Sequence, residues 1–128
     1  MTQTELVRLF YRAFNAQDLA NFVATLHPEV ELQTARGLRC GHDEAREWAT
    51  KSPAGGLDQR LVVEELRERG NHVVALYRKQ WWWRESEKLA RDDEMAALFT
   101  FDDGLISRWQ PFEDRAEAVT LLDELART

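Results

Sequence analysis

The sequence predicts an α+β fold in which a curved, mostly antiparallel sheet wraps around helices and forms a cone open at one end. Apolar residues recur with helical spacing near both ends of the chain, at 2–26 and 114–125. Between them, β-branched and aromatic segments alternate with short turn signals. The segment 72–84 contains three consecutive tryptophans and no Gly or Pro, which predicts one long strand. Together these observations place helices on one face of a meander of strands.

Length and charge restrict the possible class of protein. The 128 residues predict a single domain, 1–128, large enough to fold without disulfides, and Cys40 has no partner in the chain. The formal charge of −6 disfavours nucleic-acid binding, which requires a basic face. No apolar run is long enough to cross a membrane, and the first residues lack a signal-peptide pattern. We therefore expect a cytoplasmic protein.

Two helices are predicted first. Thr2 and Glu5 have capping-box spacing and begin a helix whose apolar residues share one face. The segment 15–18 then combines a helix stop with an N-cap. A shorter helix follows at 19–26 and ends before Pro28, which cannot continue it.

A strand, a loop and a third helix follow. Residues 29–34 alternate between apolar and polar side chains, which indicates a half-buried strand. The Gly-bounded segment 35–41 predicts a loop, and 42–51 predicts a short helix. The segment 52–56 leaves two interpretations open, a pocket lid and a plain connector.

The second half predicts four strands and a last helix. In order, these are a strand at 61–68, the long strand at 72–84, a charged hairpin tip at 84–92, strands at 94–101 and 105–112, and a helix that begins at Asp114. The long strand should bend or carry a bulge. Since Trp82 points away from Trp81 and Trp83, both faces of the sheet must be covered at that level.

Five sequence motifs carry a family resemblance over nearly the whole chain. They are FNAQDL at 14–19, LHPEV at 26–30, GHDEA at 41–45, FDDGLISRW at 101–109 and FEDRAEA at 112–118. With them the chain resembles the nuclear transport factor 2-like superfamily and, within it, the SnoaL-like proteins. The resemblance implies the conical α+β fold, also described as a cystatin-like roll, with a pocket for a small hydrophobic molecule.

The resemblance leaves two classes of function open. One is a cofactor-independent acid–base enzyme of cyclase, isomerase or dehydratase type; the other is a non-catalytic ligand-binding or dimeric assembly module. In the ketosteroid isomerase branch, the positions of the three catalytic groups correspond here to Phe10, Thr34 and Ala97, and none of these can perform that chemistry. Tyr11 lies about 100° around the helix from Phe10 and should face elsewhere. The catalytic residues therefore stay unassigned.

The resemblance also implies which side chains line the pocket. The candidates are Phe10, Phe14, Thr34, Trp48, Tyr77, Lys79, Trp81, Phe99, Arg108, Gln110, Phe112 and Glu113. A single bulge in a strand would turn inwards the side chains that otherwise face outwards. Lys79 and Arg108 either bind an acidic group or pair with nearby carboxylates, and Glu113 either acts as an acid or base or favours the start of the last helix.

Metal binding is not predicted. His27, His42 and His72 lack metal-ligand spacing, and we expect no metal and no cofactor. Cys40 lacks an evident partner that would make it a nucleophile. Tryptophans on both faces of the sheet predict a homodimer through its outer face, because a monomer would leave a large apolar patch in water.

Overall fold

The computed structural model describes residues 1–51 and 55–127. Its elements in chain order are α1 (Gln3–Ala16), α2 (Leu19–Ala24), β1 (Leu26–Thr34), β2 (Gly37–Cys40), α3 (Gly41–Ala49), β3 (Leu57–Arg69), β4 (His72–Trp83), β5 (Leu89–Asp102), β6 (Leu105–Phe112) and α4 (Arg115–Ala126). The six strands form one curved, unclosed sheet in the order β2-β1-β6-β5-β4-β3. Only β1 and β6 are parallel, which confirms the α+β prediction of a mostly antiparallel sheet.

The first two helices begin where the capping residues predict. The Thr2 side chain accepts a hydrogen bond from the Glu5 amide, and the Glu5 carboxylate accepts one from the Thr2 amide. Helix α1 ends at Gln17, whose left-handed φ of 57° closes the turn. Helix α2 is shorter than predicted because Leu26 pairs with Ile106 and begins β1 instead.

Two strand predictions were too short. Strand β5 begins at Leu89 rather than at 94, because Arg78 of β4 holds the carboxylates of Asp92 and Glu94 at 3.1 and 3.2 Å. Such cross-strand ion pairs let a charged segment form an extended hairpin arm. Strand β3 likewise begins at Leu57, pairing with Trp83, rather than at 61.

The loop predicted at 35–41 contains a strand. Residues 37–40 form β2, which pairs with the end of β1 through a tight turn at Ala35 and Arg36. Gly37 has a φ of +107°, which a residue with a side chain rarely adopts. The Thr34 hydroxyl donates to the Gly37 carbonyl at 2.6 Å and helps to close this turn.

The helices lie on both faces of the sheet, and the prediction that they share one face was wrong. Helices α1, α2 and α3 pack with the inward residues of the sheet, such as Tyr77 and Phe99, in the larger core. Helix α4 packs on the opposite face, where Ala118 and Leu122 contact Val74, Leu76, Ala96 and Leu98. The middle of the outer sheet face is therefore covered by the chain itself.

Bulges change the register beside the long strand. The extra residues lie on its neighbours, Glu64 on β3 and Ala90 on β5, so β4 itself runs without an inserted residue. A third bulge inserts Ser107 into β6 opposite β5. Each bulge reverses which residues of its strand face inwards beyond that point.

Part of the stretch predicted as lid or connector, 52–54, lies outside the described residues. Gly56, at its end, accepts a hydrogen bond from the Arg84 amide at 2.9 Å. Among the described residues, none of the helices combines the length and apolar character that crossing a bilayer requires.

Candidate functional site

A cavity of about 470 Å³ opens between the curved sheet and the helices α1 and α3. Its volume lies within the range of small-molecule pockets. Seven helices and strands contribute to the lining, α1, α3, β1 and β3 to β6, together with the turn after β1 and Glu113 after β6. The lining residues are Phe14, Gln33, Thr34, Ala35, Trp48, Gln59, Leu61, Tyr77, Lys79, Met95, Trp109, Gln110, Pro111 and Glu113.

Aromatic rings form the apolar part of the lining. The Trp48 ring on α3 lies 5.1 Å from the Trp109 ring on β6 and 5.5 Å from the Phe14 ring on α1, measured between centroids. Behind them, the buried Tyr11 ring lies 5.1 Å from that of Tyr77. The Tyr11 hydroxyl accepts a hydrogen bond from Trp109 Nε1 at 3.4 Å, which helps to fix the indole. Packed rings of this kind form a rigid apolar surface on which a flat apolar molecule can stack.

Side-chain amides hold the walls together. Asn15 at the end of α1 donates to the Leu61 carbonyl at 2.8 Å and accepts from the Leu61 amide at 2.9 Å. Gln17 donates to the Ala49 carbonyl and accepts from the Lys51 amide, both at 2.9 Å, and so joins α1 to the end of α3. The Asn15 bonds satisfy backbone groups at the exposed edge of β3, and the Gln17 bonds fix α1 against the end of α3.

Three ionisable side chains line the cavity: Tyr77, Lys79 and Glu113. Tyr77 is only 2% exposed, and its hydroxyl has no hydrogen-bond partner among the described residues. Burial raises the pKa of Tyr77 above its usual value, so the phenol is a neutral donor at physiological pH. Among the lining residues that the structure describes, Glu113 is the one carboxylate, and no cation lies within ion-pair distance of it.

Lys79 differs sharply from its neighbour on β4. Arg78, on the outer face, pairs with three carboxylates, those of Glu64, Asp92 and Glu94. Lys79 has no carboxylate within 4.0 Å among the described residues; its ammonium lies 5.7 Å from the Trp81 ring centroid. The cavity therefore contains a cation that has no ionic partner among the described residues.

The structure brings seven of the twelve sequence candidates to the cavity. These are Phe14, Thr34, Trp48, Tyr77, Lys79, Gln110 and Glu113. Phe10 and Phe99 are fully buried in the core behind it, and Trp81 shares the inward face of β4 but lies outside the lining.

The prediction that Arg108 and Phe112 face the cavity was wrong, and the Ser107 bulge is the reason. Ile106 is buried in the inner core, and regular alternation from it would place 108, 110 and 112 inwards. The inserted residue turns Trp109 inwards opposite Phe99 instead. Arg108 is exposed, and Phe112 packs against the outer core around α4. Gln110, between them, still borders the cavity.

Seven further lining residues were not candidates: Gln33, Ala35, Gln59, Leu61, Met95, Trp109 and Pro111. Leu61 faces inwards because it pairs with Lys79, a register that sequence alone does not reveal. Trp109 faces inwards because the bulge at Ser107, two residues earlier, exchanges the faces of β6. Within the described ranges, no three His, Cys, Asp or Glu side chains come together in a way that would hold a metal ion.

Solved structures with the same fold cover nearly the whole chain. A putative polyketide cyclase from Pseudomonas putida KT2440 matches 94% of this chain and 97% of its own, with 24% identity and a TM-score of 0.72. TerC, co-crystallized with polyporic acid, matches 94% and 97% with 23% identity and a TM-score of 0.70. A protein with a ketosteroid isomerase-like fold from Catenulispora acidiphila, in complex with trimethylamine, matches 94% and 92% with 14% identity and a TM-score of 0.72.

The sequence itself also matches a family. No functionally curated protein matches the chain. The model of the SnoaL-like domain matches residues 7–109, which include most of α1, the first five strands in full and most of β6. That match extends over most of the fold and agrees with the solved structures. The chain therefore belongs to the SnoaL-like domain family.

Proposed function

We propose that this protein binds a small, flat, apolar molecule in the cavity and acts on it by cofactor-independent acid–base chemistry of the cyclase type. The observation that carries the proposal is the composition of the lining. Trp48, Trp109 and Phe14 provide apolar surface. Tyr77 and Glu113 face the same space, and their side chains have no partner in the part of the chain that the structure describes. The names of two structures with this fold, a putative polyketide cyclase and TerC bound to polyporic acid, support it.

The acid–base step is assigned to Glu113. Cyclisation of a ketone-bearing chain begins when a base removes a proton next to a carbonyl, and the resulting enolate attacks a second carbonyl. Glu113 provides the carboxylate for that proton transfer and can return the proton to the product oxygen. Tyr77 and the amides of Gln33, Gln59 and Gln110 can donate hydrogen bonds to the substrate oxygens. The aromatic rings hold the reacting carbons and exclude water.

A second candidate function is ligand binding without turnover. It is favoured by the three positions that carry catalytic groups in the ketosteroid isomerase branch. Phe10 and Ala97 are buried in the core, and the Thr34 hydroxyl is bonded to the Gly37 carbonyl. If Glu113 transfers no proton, the same cavity functions as a carrier or sensor site for an apolar molecule.

Proton exchange in a bound ketone separates the two functions. With 1-tetralone, a flat bicyclic ketone, in D₂O, NMR should show that the protein accelerates exchange of the protons next to the carbonyl. Glu113→Gln should lower the exchange rate by about 100-fold or more, the range typical of a lost general base. Glu117→Gln, an exposed carboxylate in the first turn of α4, is the matched control and should leave the rate unchanged.

Each other outcome has one meaning. Quenching of tryptophan fluorescence by 1-tetralone without accelerated exchange would favour the binding module over the enzyme. Accelerated exchange that survives Glu113→Gln would contradict the role given to that carboxylate. Absence of binding by this ketone and by related flat ketones would contradict the proposed function as a whole.

A further inference from the structure

We propose that the ligand of this cavity carries an anionic oxygen, a carboxylate or an acidic enol, and that Tyr77 and Lys79 hold it. The inference rests on the proposed function, because it names the class of molecule that the same cavity accepts. It goes further by ranking anionic ligands above neutral hydrocarbons and neutral ketones of the same shape, which bind more weakly.

The first argument is the unused donor of Tyr77. Its side chain is buried among Tyr11, Leu61 and Met95, yet its hydroxyl bonds to no group in the described part of the chain. The hydroxyl is not closed off in the core but reaches the open cavity, where water or a ligand can be its partner. Because burial raises the pKa of this phenol, it keeps its proton, and an acceptor with high charge density forms the strongest hydrogen bond with it.

The second argument is the unpaired ammonium of Lys79. Among the described residues, each carboxylate beside it either forms an ion pair with another cation or lines the cavity without an ion pair to it. Asp93, its partner across the β4–β5 ladder, is bound by Arg91 at 2.7 Å, and Glu113 is the remaining carboxylate of the described lining. Leu61 lies opposite on β3 and contributes no charge. An ammonium above an indole ring, with no ionic partner in the described part of the chain, is a favourable site for an anion that arrives with an apolar body.

The third argument is the geometry of the pair. Tyr77 and Lys79 are two residues apart on β4, so both side chains point into the cavity from α-carbons about 7 Å apart. Two donors at this spacing can converge on the oxygens of one carboxylate or on the oxygen of an enolate. The Lys79 ammonium can only donate hydrogen bonds and the Tyr77 hydroxyl has one to donate, so a ligand that offers an anionic oxygen at this point gains more than one that offers an N–H donor. The adjacent rings of Trp48 and Trp109 select an aromatic body.

A matched pair of ligands tests the inference. 2-Naphthoate and 2-naphthamide have nearly the same shape, but only the first is an anion at neutral pH. Titration by calorimetry and by quenching of tryptophan fluorescence should show that the wild-type protein prefers naphthoate by about tenfold, as expected for one charge-assisted contact replacing a neutral one. Lys79→Met should bring the two affinities close together by weakening naphthoate binding alone.

Two more variants complete the design. Tyr77→Phe should weaken naphthoate binding several-fold and naphthamide binding less, since it removes a donor whose hydrogen bond to a charged oxygen is the stronger one and keeps the ring. Arg108→Met removes a cation from the same sheet outside the cavity and should change neither affinity. Circular dichroism and thermal unfolding would verify that each variant is folded.

The outcomes distinguish this inference from the function on which it rests. Equal affinity of the wild-type protein for both ligands would overturn the anionic ligand and leave the apolar pocket standing. A Lys79→Met variant that loses both ligands equally would also overturn it, because the lysine would then act through packing. If neither ligand binds, the pocket itself fails as a small-molecule site, and the inference falls with it.

Discussion

Two buried tyrosines pack against each other at the cavity: Tyr77 lines it and Tyr11 lies behind it. Tyr11 is 1% and Tyr77 2% exposed, and their ring centroids are 5.1 Å apart. Burial raises the pKa of both phenols, and for Tyr11 the proximity of Tyr77 raises it further. In a buried position, each ring costs more to ionise than a tyrosine in water.

At high pH these two residues should destabilise the protein. Above the ordinary tyrosine pKa of 10.0 the unfolded chain loses both protons, while the folded protein retains them. The folded state then binds more protons than the unfolded state, so the free energy of unfolding decreases as pH rises, by at most about 1.4 kcal/mol per pH unit for each tyrosine. Urea unfolding between neutral pH and pH values above 10 measures this slope.

The control is a pair of single variants. Tyr11→Phe and Tyr77→Phe each remove one ionisable ring and should each reduce the slope above pH 10 relative to the wild-type protein. Lysine and arginine titration contributes equally in all three proteins. A slope that is the same in all three would contradict the assignment of the pH dependence to these phenols.

At the scale of single residues, the sequence could predict which residues are candidates for the cavity, but not which face of its strand each candidate occupies. Tyr77 and Lys79 reach the cavity as the resemblance implies, because β4 has no inserted residue of its own. Arg108 and Phe112 do not, because one extra residue, Ser107, exchanges the faces of β6. Nothing in the residue type of a serine signals a bulge, so the inward position of Trp109 depends on tertiary pairing.

At the scale of elements, one arginine of helix α4 forms hydrogen bonds to the sheet. Arg115 donates from Nε to the Met95 carbonyl at 3.0 Å and from Nη2 to the Tyr77 carbonyl at 2.8 Å, and it also bonds to Glu64. Hydrogen bonds from Arg115 and from Arg78 hold the pKa of Glu64 below its usual range. Since Glu64 is the bulged residue of β3, the arginine binds the helix, the bulge and the back of the cavity wall together.

Removing this arginine should destabilise the protein measurably. Arg115→Met removes two hydrogen bonds to main-chain carbonyls of the central sheet, and we expect a loss of about 2 kcal/mol in the free energy of unfolding. Arg67→Met, which breaks the exposed Arg67 and Glu65 pair on the same strand as Glu64, is the matched control and should cost less than about 0.5 kcal/mol. Equal losses in urea unfolding would show that Arg115 is only a surface charge.

Element boundaries were predicted well where a side chain caps its own helix. They were predicted poorly where pairing with another strand sets the boundary. Thr2, Asp18 and Asp114 cap α1, α2 and α4 through their own side chains, which the sequence displays. The charged start of β5 was interpreted as a hairpin tip, because its stability depends on Arg78 of another strand. Strand β2 is four residues long and exists only as the partner of β1.

At the scale of the whole molecule, the fold was predicted from motifs and the placement of α4 was not. The family model matches 7–109, so α4 lies outside the match. Its capping residue and its apolar stripe predict a helix but do not identify the face that it covers. The structure places it over Val74, Leu76, Ala96 and Leu98, on the outer face that was assigned to a dimer contact.

The homodimer remains a prediction. Because α4 covers the middle of the outer sheet face, we now expect the two copies to meet beyond α4. Large apolar side chains remain in water beyond α4, at the end of the β4 and β5 arm: Trp83 is 49% and Leu89 44% exposed, and Leu89 pairs with Trp82. We expect sedimentation equilibrium at micromolar concentration to show a dimer. Trp83→Lys combined with Leu89→Lys should convert it to a monomer with unchanged circular dichroism, because two charges cannot be buried there without partners.

An exposed leucine at the opposite edge of the sheet provides the control. Leu38 on β2 is 46% exposed, so Leu38→Lys makes the same kind of change far from the arm and should leave the dimer intact. A wild-type protein that sediments as a monomer would contradict the homodimer. Dissociation by Leu38→Lys, but not by the arm variant, would place the contact at β2, since lysine prevents apolar burial wherever the two copies meet.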